Sequence, residues 1–243
     1  CEICTDVDGV YSADPSRVPG AKPWPELSYE EVIEMATGGA KVLHPRAAEI
    51  CMEYDVPIHV RSSFHLREGT WIRGSGSIME RAEVVSVTSD ARIAKITLLD
   101  VADKPGIAAR VFQDLASAGI NIRLIIQSAS SAHQGRITFI SGLEFLDSAR
   151  ELVQRWEAEG VASRGVIDSE VATISIVGSR LASTPGLAAR MFAALAREGI
   201  NIDCISSSEM KVACVISGER LDDGTRAVHR EFFPDDEATV ASA

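Results

Sequence analysis

The 243-residue sequence predicts a mixed α/β (α+β) fold, an N-terminal α/β segment followed by two ferredoxin-like βαββαβ units. Three observations carry that prediction. PGIAARVFQDLASAGINIRLI at 105–125 recurs as PGLAARMFAALAREGINIDCI at 185–205, and 13 of 21 positions are identical at an offset of 80 residues, which marks a true internal repeat. Apolar runs with strand character flank both copies. Residues 1–75 carry none of this pattern and form a segment of their own.

Taken in order, the chain opens with strand character in CEICTDVDGVY, which holds an Asp-x-Asp-Gly loop at Asp6–Gly9. Such a loop reads equally as an ordinary turn. Asp14-Pro15 closes the next turn, with Arg17 and Lys22 supplying positive charge. Glu26–Gly38 reads as an amphipathic helix with Val32, Ile33 and Met35 inward. Gly38–Pro45 is a tight turn with a single lysine, Lys41, and Val56–Ser62 is a strand. Phe64–Glu83, with Gly69, Gly74, Gly76, Ser75 and Ser77, has the composition of an inter-domain connection.

Each repeat then reads strand, helix, strand, strand, helix, strand. The first strands are Ala94–Val101 and Ala172–Gly178. Val111, Phe112, Leu115 and Ala116 form one apolar stripe on a helix, and Met191, Phe192, Leu195 and Ala196 repeat it. A Pro-Gly pair marks each helix start, the Pro fitting the first turn, and Gly119 and Gly199 sit where a left-handed residue ends a helix. Asn121 and Asn201 begin the second strands. Gly135–Ser141 and Lys211–Ser217 are the third strands, Glu144–Glu159 and Glu219–Phe232 the second helices, and Ala162–Ile167 and Ala238–Ala241 the last strands.

Composition narrows function. Hydrophobic residues at 46% and charged residues at 24% are the balance of a folded globule. No apolar run approaches the roughly 18 residues of a membrane helix, and residues 1–20 lack a secretory signal. Lys and Arg number 24 against 35 Asp and Glu, and the net charge of −11 argues against nucleic-acid and anionic-membrane partners while leaving room for a local basic pocket. Cysteines at 1, 4, 51, 204 and 214 suit reduced thiols in the cytoplasm, and no second Cys/His pair completes a metal site with Cys1 and Cys4. The chain begins at Cys1 in mid-strand without an initiator Met, which reads as a fragment. In the repeat, Asn side chains donate and accept while helix-N-terminal amides attract carboxylates, so each copy reads either as plain packing or as a grip on an amino acid zwitterion, with the Asn close to the Pro-Gly turn.

TDVDGVYSADP, then LSYEEVIEMATGGAKVLHPRAAE, then VPIHVRSSF, in that order, resemble the C-terminal part of the aspartate kinase catalytic domain. The duplicated unit resembles the paired ACT domains that follow it in that family, entered through VTSD and AKITL within Val87–Leu98. The resemblance implies an amino-acid-kinase portion over 1–75 and ACT domains over 76–168 and 169–243. It implies ATP with Mg²⁺, and nucleotide contacts from Thr5, Asp6, Tyr11, Ser12, Ala13, Asp14, Pro15, Ser16, Arg17, Lys41 and Val42. The family reads ADPR where this chain reads Ala13-Asp14-Pro15-Ser16-Arg17, displacing the arginine by one position. The family's KFGG[TS] loop and its aspartate-binding residues have no counterpart here, so no catalytic residue is assigned and the chain alone is expected to be inactive.

Effector contacts are implied at Asp103, Pro105, Gly106, Ala108, Asn121, Ile122 and Gln127 in the first copy. In the second they fall on Leu187, Ala188, Asn201, Ile202, Ser208 and Glu209, with Arg123 and Asp203 distinguishing the copies. The implied function is phosphorylation of L-aspartate to 4-phospho-L-aspartate at the entry to lysine, threonine and methionine synthesis, under feedback by lysine, threonine or both. The alternative is a non-catalytic amino-acid-binding regulatory subunit. Either would assemble through its ACT domains, as a homo-oligomer or with a separate kinase subunit, in the cytoplasm.

Overall fold

A computed structural model describes residues 1–41, 43–77, 82–129 and 134–234. In chain order these form β1 (Glu2–Thr5), β2 (Glu26–Ser28), α1 (Tyr29–Thr37), α2 (Pro45–Glu53), β3 (Ile58–Ser62), β4 (Thr70–Arg73), β5 (Ser86–Asp90) and β6 (Ile93–Ala102). There follow α3 (Ile107–Ser117), β7 (Ile122–Ala129), β8 (Gln134–Gly142), α4 (Leu146–Ala158), β9 (Arg164–Asp168), β10 (Val171–Val177), α5 (Leu187–Arg197), β11 (Cys204–Ser207), β12 (Lys211–Ser217) and α6 (Leu221–Phe232). The chain divides into two units, Cys1–Asp90 with Thr173–Ala243, and Ala91–Ala172.

The first unit holds two sheets. One has the order β1-β3-β4-β2, with β1 parallel to β3, β3 antiparallel to β4 and β2 parallel to β4. Leu27, Val32, Met35, Ala48, Ile58, Val60 and Ile72 are buried together under it. Glu26–Ser28, which the apolar pattern assigns to the following helix, is instead β2. The helix starts later because Ser28 caps it: Glu31 N–H donates to Ser28 Oγ at 3.2 Å, and Ser28 N–H donates to Glu31 Oε2 at 3.0 Å. The connection expected over Phe64–Glu83 is also corrected in part. Thr70–Arg73 is a strand inside this sheet, with Thr70 and Ile72 fully buried, because TWIR alternates between the core and the outer face within a glycine-rich stretch.

The other sheet of this unit has the order β11-β12-β10-β5. Val87 pairs with Ile176 and Ser89 with Ile174 in the antiparallel β5–β10 ladder. The fourth place of the second repeat is thus filled by Ser86–Asp90, which precedes the first repeat in sequence. The strand expected at Ala238–Ala241 lies outside the described residues. Helices α5 and α6 cover the sheet, and a Cβ on Gly224 would meet Ile174, Leu195 and Ile200 side chains at 2.6–3.3 Å, so the glycine permits close contact between helix and sheet.

The second unit is one repeat copy, with the antiparallel order β7-β8-β6-β9. Its core is built from Ile96, Leu98, Val111, Leu115, Phe139, Val153 and Trp156, the last fully buried and worth about 2–3 kcal/mol of apolar transfer. Trp156 Nε1 donates to Asp114 Oδ2 at 2.8 Å, tying α4 to α3. The Pro-Gly pairs act differently from expectation: Gly106 (φ +95°) and Gly186 (φ +92°) are themselves the left-handed N-cap residues, so Pro105 and Pro185 precede the helices. Gly119 (φ +69°) and Gly199 (φ +65°) follow the helix ends in left-handed conformation, as their positions predict.

Candidate functional site

In the first unit, three chain segments surround a cavity of about 350 Å³, within the size range of small-molecule sites. The end of β1 and the loop after it contribute Thr5, Asp6, Val7, Gly9, Tyr11, Ala13, Asp14, Pro15 and Ser16. The turn after α1 contributes Gly39, Ala40 and Lys41, and β5 contributes Ser86–Ser89.

Local chemistry explains the loop. Val7 N–H donates to Thr5 Oγ1 at 2.9 Å, closing the turn that presents Asp6. Thr70 Oγ1 accepts from Val10 N–H at 2.8 Å and donates to the Trp24 carbonyl at 2.6 Å, and it would lie 2.5 Å from a Cβ on Gly9. Glycine there lets the loop close over Thr70. Asp14 Oδ1 accepts from Ser16 N–H at 2.9 Å and from Ser16 Oγ at 2.6 Å, while the Asp14 carbonyl accepts from Val18 N–H at 2.9 Å. The expected Asp14-Pro15 turn is present.

The second wall rests on β5. A Cβ on Gly38 would lie 2.4 Å from Thr88 Oγ1, and one on Gly39 (φ +108°) would lie 2.6 Å from the Ser89 carbonyl oxygen. The Gly-Gly pair is therefore the price of seating the lysine turn on a strand of the second repeat. Thr88 Oγ1 is buried without a hydrogen-bond partner, a group that a bound ligand can satisfy. Lys41 is exposed at the cavity.

The structure thus brings together Thr5, Asp6, Tyr11, Ala13, Asp14, Pro15, Ser16 and Lys41. It turns two predicted contacts elsewhere. Ser12 is fully buried, its Oγ 2.9 Å from His229 Nε2 and accepting from Lys22 N–H at 3.0 Å, because successive residues of an extended loop point opposite ways. Arg17 forms an ion pair with Asp222 on α6, so the displaced arginine serves that contact. Val42 lies outside the described residues. The β5 wall was missed; the Gly-Gly pair signals close packing but not the packed partner.

A second cavity, of about 360 Å³ in the second unit, is lined by Asp103, Pro105, Gly106, Ala108 and Gln127 together with Val101, Ile107 and Ile137. Asn121 and Ile122 do not join it. Ile122 pairs with Ser141, whereas the cavity lies where Val101 pairs with Gly135, about 20 Å along the sheet at some 3.4 Å per residue. The expectation that Asn121 neighbours the Pro-Gly turn is corrected: in a βαβ unit the helix returns the chain to the opposite end of the sheet. In the other copy Leu187 is buried and Ala188 half-buried at the start of α5, and Ser208 Oγ accepts from the N–H groups of Met210 (3.4 Å) and Lys211 (3.1 Å) within the β11–β12 turn. Glu209 is exposed in that turn, and Gly178 N–H donates to the Met210 carbonyl there at 3.0 Å. Asn201 and Ile202 precede β11, at the far end of the same strand.

The amino acid kinase family matches residues 1–62, and the ACT domain matches residues 95–160 and again 174–232. The chain is similar to the aspartokinase of Corynebacterium efficiens, 40% identical over 246 residues that cover 99% of this chain and 58% of that protein. It is similar to the solved regulatory subunit of aspartate kinase from Thermus thermophilus, 37% identical with a TM-score of 0.59, over 62% of this chain and 99% of that one. It is also similar to E. coli aspartokinase III in complex with aspartate and ADP, 26% identical with a TM-score of 0.82, over 96% of this chain and 52% of that one. The same enzyme in complex with lysine and aspartate matches at a TM-score of 0.75, 26% identical, over 96% of this chain and 51% of that one. The chain spans little more than half the length of the curated relative it matches.

Proposed function

The chain belongs to the aspartate kinase family, and we propose that it is the C-terminal part of an enzyme that phosphorylates L-aspartate with ATP, giving ADP and 4-phospho-L-aspartate. The observation that carries this reading is the cavity on which Thr5, Asp6, Tyr11, Asp14 and Lys41 converge. Phosphoryl transfer asks a protein mainly for positioning and charge neutralisation. The aspartate carboxylate oxygen attacks the γ-phosphorus, the bond to the β,γ-bridging oxygen breaks, and ADP leaves. No protein nucleophile takes part. Lys41 supplies a compact cation on a flexible stem beside the phosphates. Asp6 is the acceptor for the base or ribose, and Thr88 Oγ1 offers a further hydrogen bond.

Magnesium fits this chemistry because it binds through one or two carboxylates plus substrate phosphates, and the cavity offers the Asp14 carboxylate. When bound it would neutralise part of the phosphate charge. The aspartate-binding residues lie outside this chain, which is inactive alone. Lysine, threonine or both act as effectors, and the cavity beside Asp103 and Gln127 is one effector site. No helix among the described residues is long and apolar enough to cross a membrane.

A second reading, a regulatory subunit without catalysis, is favoured by the near-complete coverage of the Thermus regulatory subunit. Against it, residues 1–62 match the amino acid kinase family and build the cavity. The test is aspartate-dependent turnover by the longer enzyme that contains this chain. Lys41→Ala there lowers kcat roughly 100-fold with the fold intact. Full activity in that variant removes Lys41 from the site, and an enzyme without aspartyl phosphate formation overturns the reading.

A further inference from the structure

Helix α6 belongs to the second ACT domain, yet it holds the nucleotide-cavity loop by a buried contact. Its residues Leu221, Gly224, Thr225 and Val228 recur at helical spacing and are buried. His229 is 3% exposed and directs its ring to Ser12, 217 residues earlier, with Nε2 and Oγ 2.9 Å apart. The ring also stacks on Phe233 with centroids 4.8 Å apart, and Phe233 meets Trp24 edge-on at 6.4 Å. Ser12 and Trp24 of the 10–24 loop are thereby engaged from α6 and its C-cap.

Ser12 is the node. Its N–H donates to the Lys22 carbonyl at 2.9 Å, its carbonyl accepts from Val87 N–H of β5 at 2.7 Å, and its Oγ accepts from Lys22 N–H while meeting His229. Its chain neighbours Tyr11 and Ala13 both line the cavity. A rotation of Ser12 would therefore swing both residues. The other α6 contacts on this loop, Arg17 with Asp222 and Arg226 with the Arg17 carbonyl, are solvent-exposed and correspondingly weak. The hydrogen bond between Ser12 and His229 is buried, where an unmade partner costs most.

We propose that His229 is a positioning residue for nucleotide binding, holding the Tyr11–Ser16 wall of the cavity through Ser12. This rests on the nucleotide reading of the cavity given above. The second ACT domain is then part of the nucleotide site's support as well as a regulatory module. A histidine that only filled space would affect stability without singling out one substrate.

The experiment compares His229→Ala, His229→Gln, Ser12→Ala and the Ser12→Ala/His229→Ala double variant in the full-length enzyme, with melting temperature, kcat and both KM values measured. His229→Ala raises KM for ATP about 10-fold, as loss of an outer support typically does, and leaves KM for aspartate within twofold. Ser12→Ala does the same, the double variant is no worse than either single one, and His229→Gln, which keeps a polar group in reach, recovers most of the affinity. A KM for ATP within twofold of the parent in Ser12→Ala and in folded His229→Ala overturns the proposal, as do equal rises in both KM values or multiplying effects in the double variant. Should His229→Ala not fold, Ser12→Ala alone decides by the same KM criteria. Lys41→Ala separates the two levels: if it impairs ATP use while Ser12 and His229 variants do not, only the positioning role falls. If none of them alters ATP dependence, both readings fall.

Discussion

Replacing Gly39 with alanine adds one methyl group at the point where the lysine turn rests on β5. The residue has φ +108°, a region that costs an L-residue roughly 1–3 kcal/mol. The added Cβ would also lie 2.6 Å from the Ser89 carbonyl oxygen and 2.8 Å from Asp90 Cβ. The carbonyl is backbone within the β5–β10 ladder and cannot rotate aside, so the turn or the strand must shift, at a further cost of about 1–3 kcal/mol. The sum, about 2–6 kcal/mol, is a large part of a typical domain's stability. Urea unfolding should show that loss, and ATP binding should weaken because Ala40 and Lys41 move with the turn. Gly76→Ala is the control: a Cβ there meets nothing within 4 Å, and the change should stay within about 0.5 kcal/mol. A Gly39→Ala variant as stable as the control would refute the claim that the turn is packed against β5.

Asp114 lies below the usual carboxylate range because the Trp156 indole N–H donates to it, with Arg155 adding attraction. A depressed pKa in the folded state gives stability that is present above the unfolded value near 3.9 and is lost as pH falls through the folded one. Asp114→Asn should therefore cost about 1 kcal/mol at pH 7 and progressively less toward pH 2; an equal deficit throughout would contradict the charged hydrogen bond. Burial pushes the Cys214 thiol up to about 12, while Cys1 and Cys4 are exposed. A thiol reagent at pH 8 should modify Cys1 and Cys4 rapidly and Cys214 only on unfolding, and early mass labelling of Cys214 would disprove its burial. Lysine or threonine should raise the melting temperature saturably, by linkage worth about 2.7 kcal/mol at a hundredfold excess over Kd. Gln127→Ala should weaken that shift more than Asn121→Ala, since only Gln127 lines the cavity; the reverse order would place the effector elsewhere.

What sequence made legible was whatever is written in local period and local turns. The stripes of Val111, Leu115, Met191 and Leu195 face their cores, and Gly119 and Gly199 end their helices. The loop from Thr5 to Ser16, singled out through its motif, does line the cavity of the first unit. Pairing between distant segments was not. Nothing in SVTSD states that it completes the sheet of the later repeat, because an edge strand's partner is set by the whole fold rather than by its own alternation. Thr70–Arg73 was hidden by the glycines on either side, although its Thr and Ile are fully buried. Ser12 and Arg17 belonged to a motif read as binding, yet their partners, His229 and Asp222, come from a helix more than 200 residues later. Asn121 was misplaced because spacing in sequence conceals which end of a sheet a strand begins from.

On the proposed function, this chain carries a formed nucleotide half-site resting on its second ACT domain. Titration calorimetry of the purified chain with Mg·ADP tests it most directly. One saturable site is expected, weakened at least about 10-fold by Lys41→Ala and untouched by Gln127→Ala in the other cavity. Absence of binding, or affinity unchanged by Lys41→Ala, would contradict it.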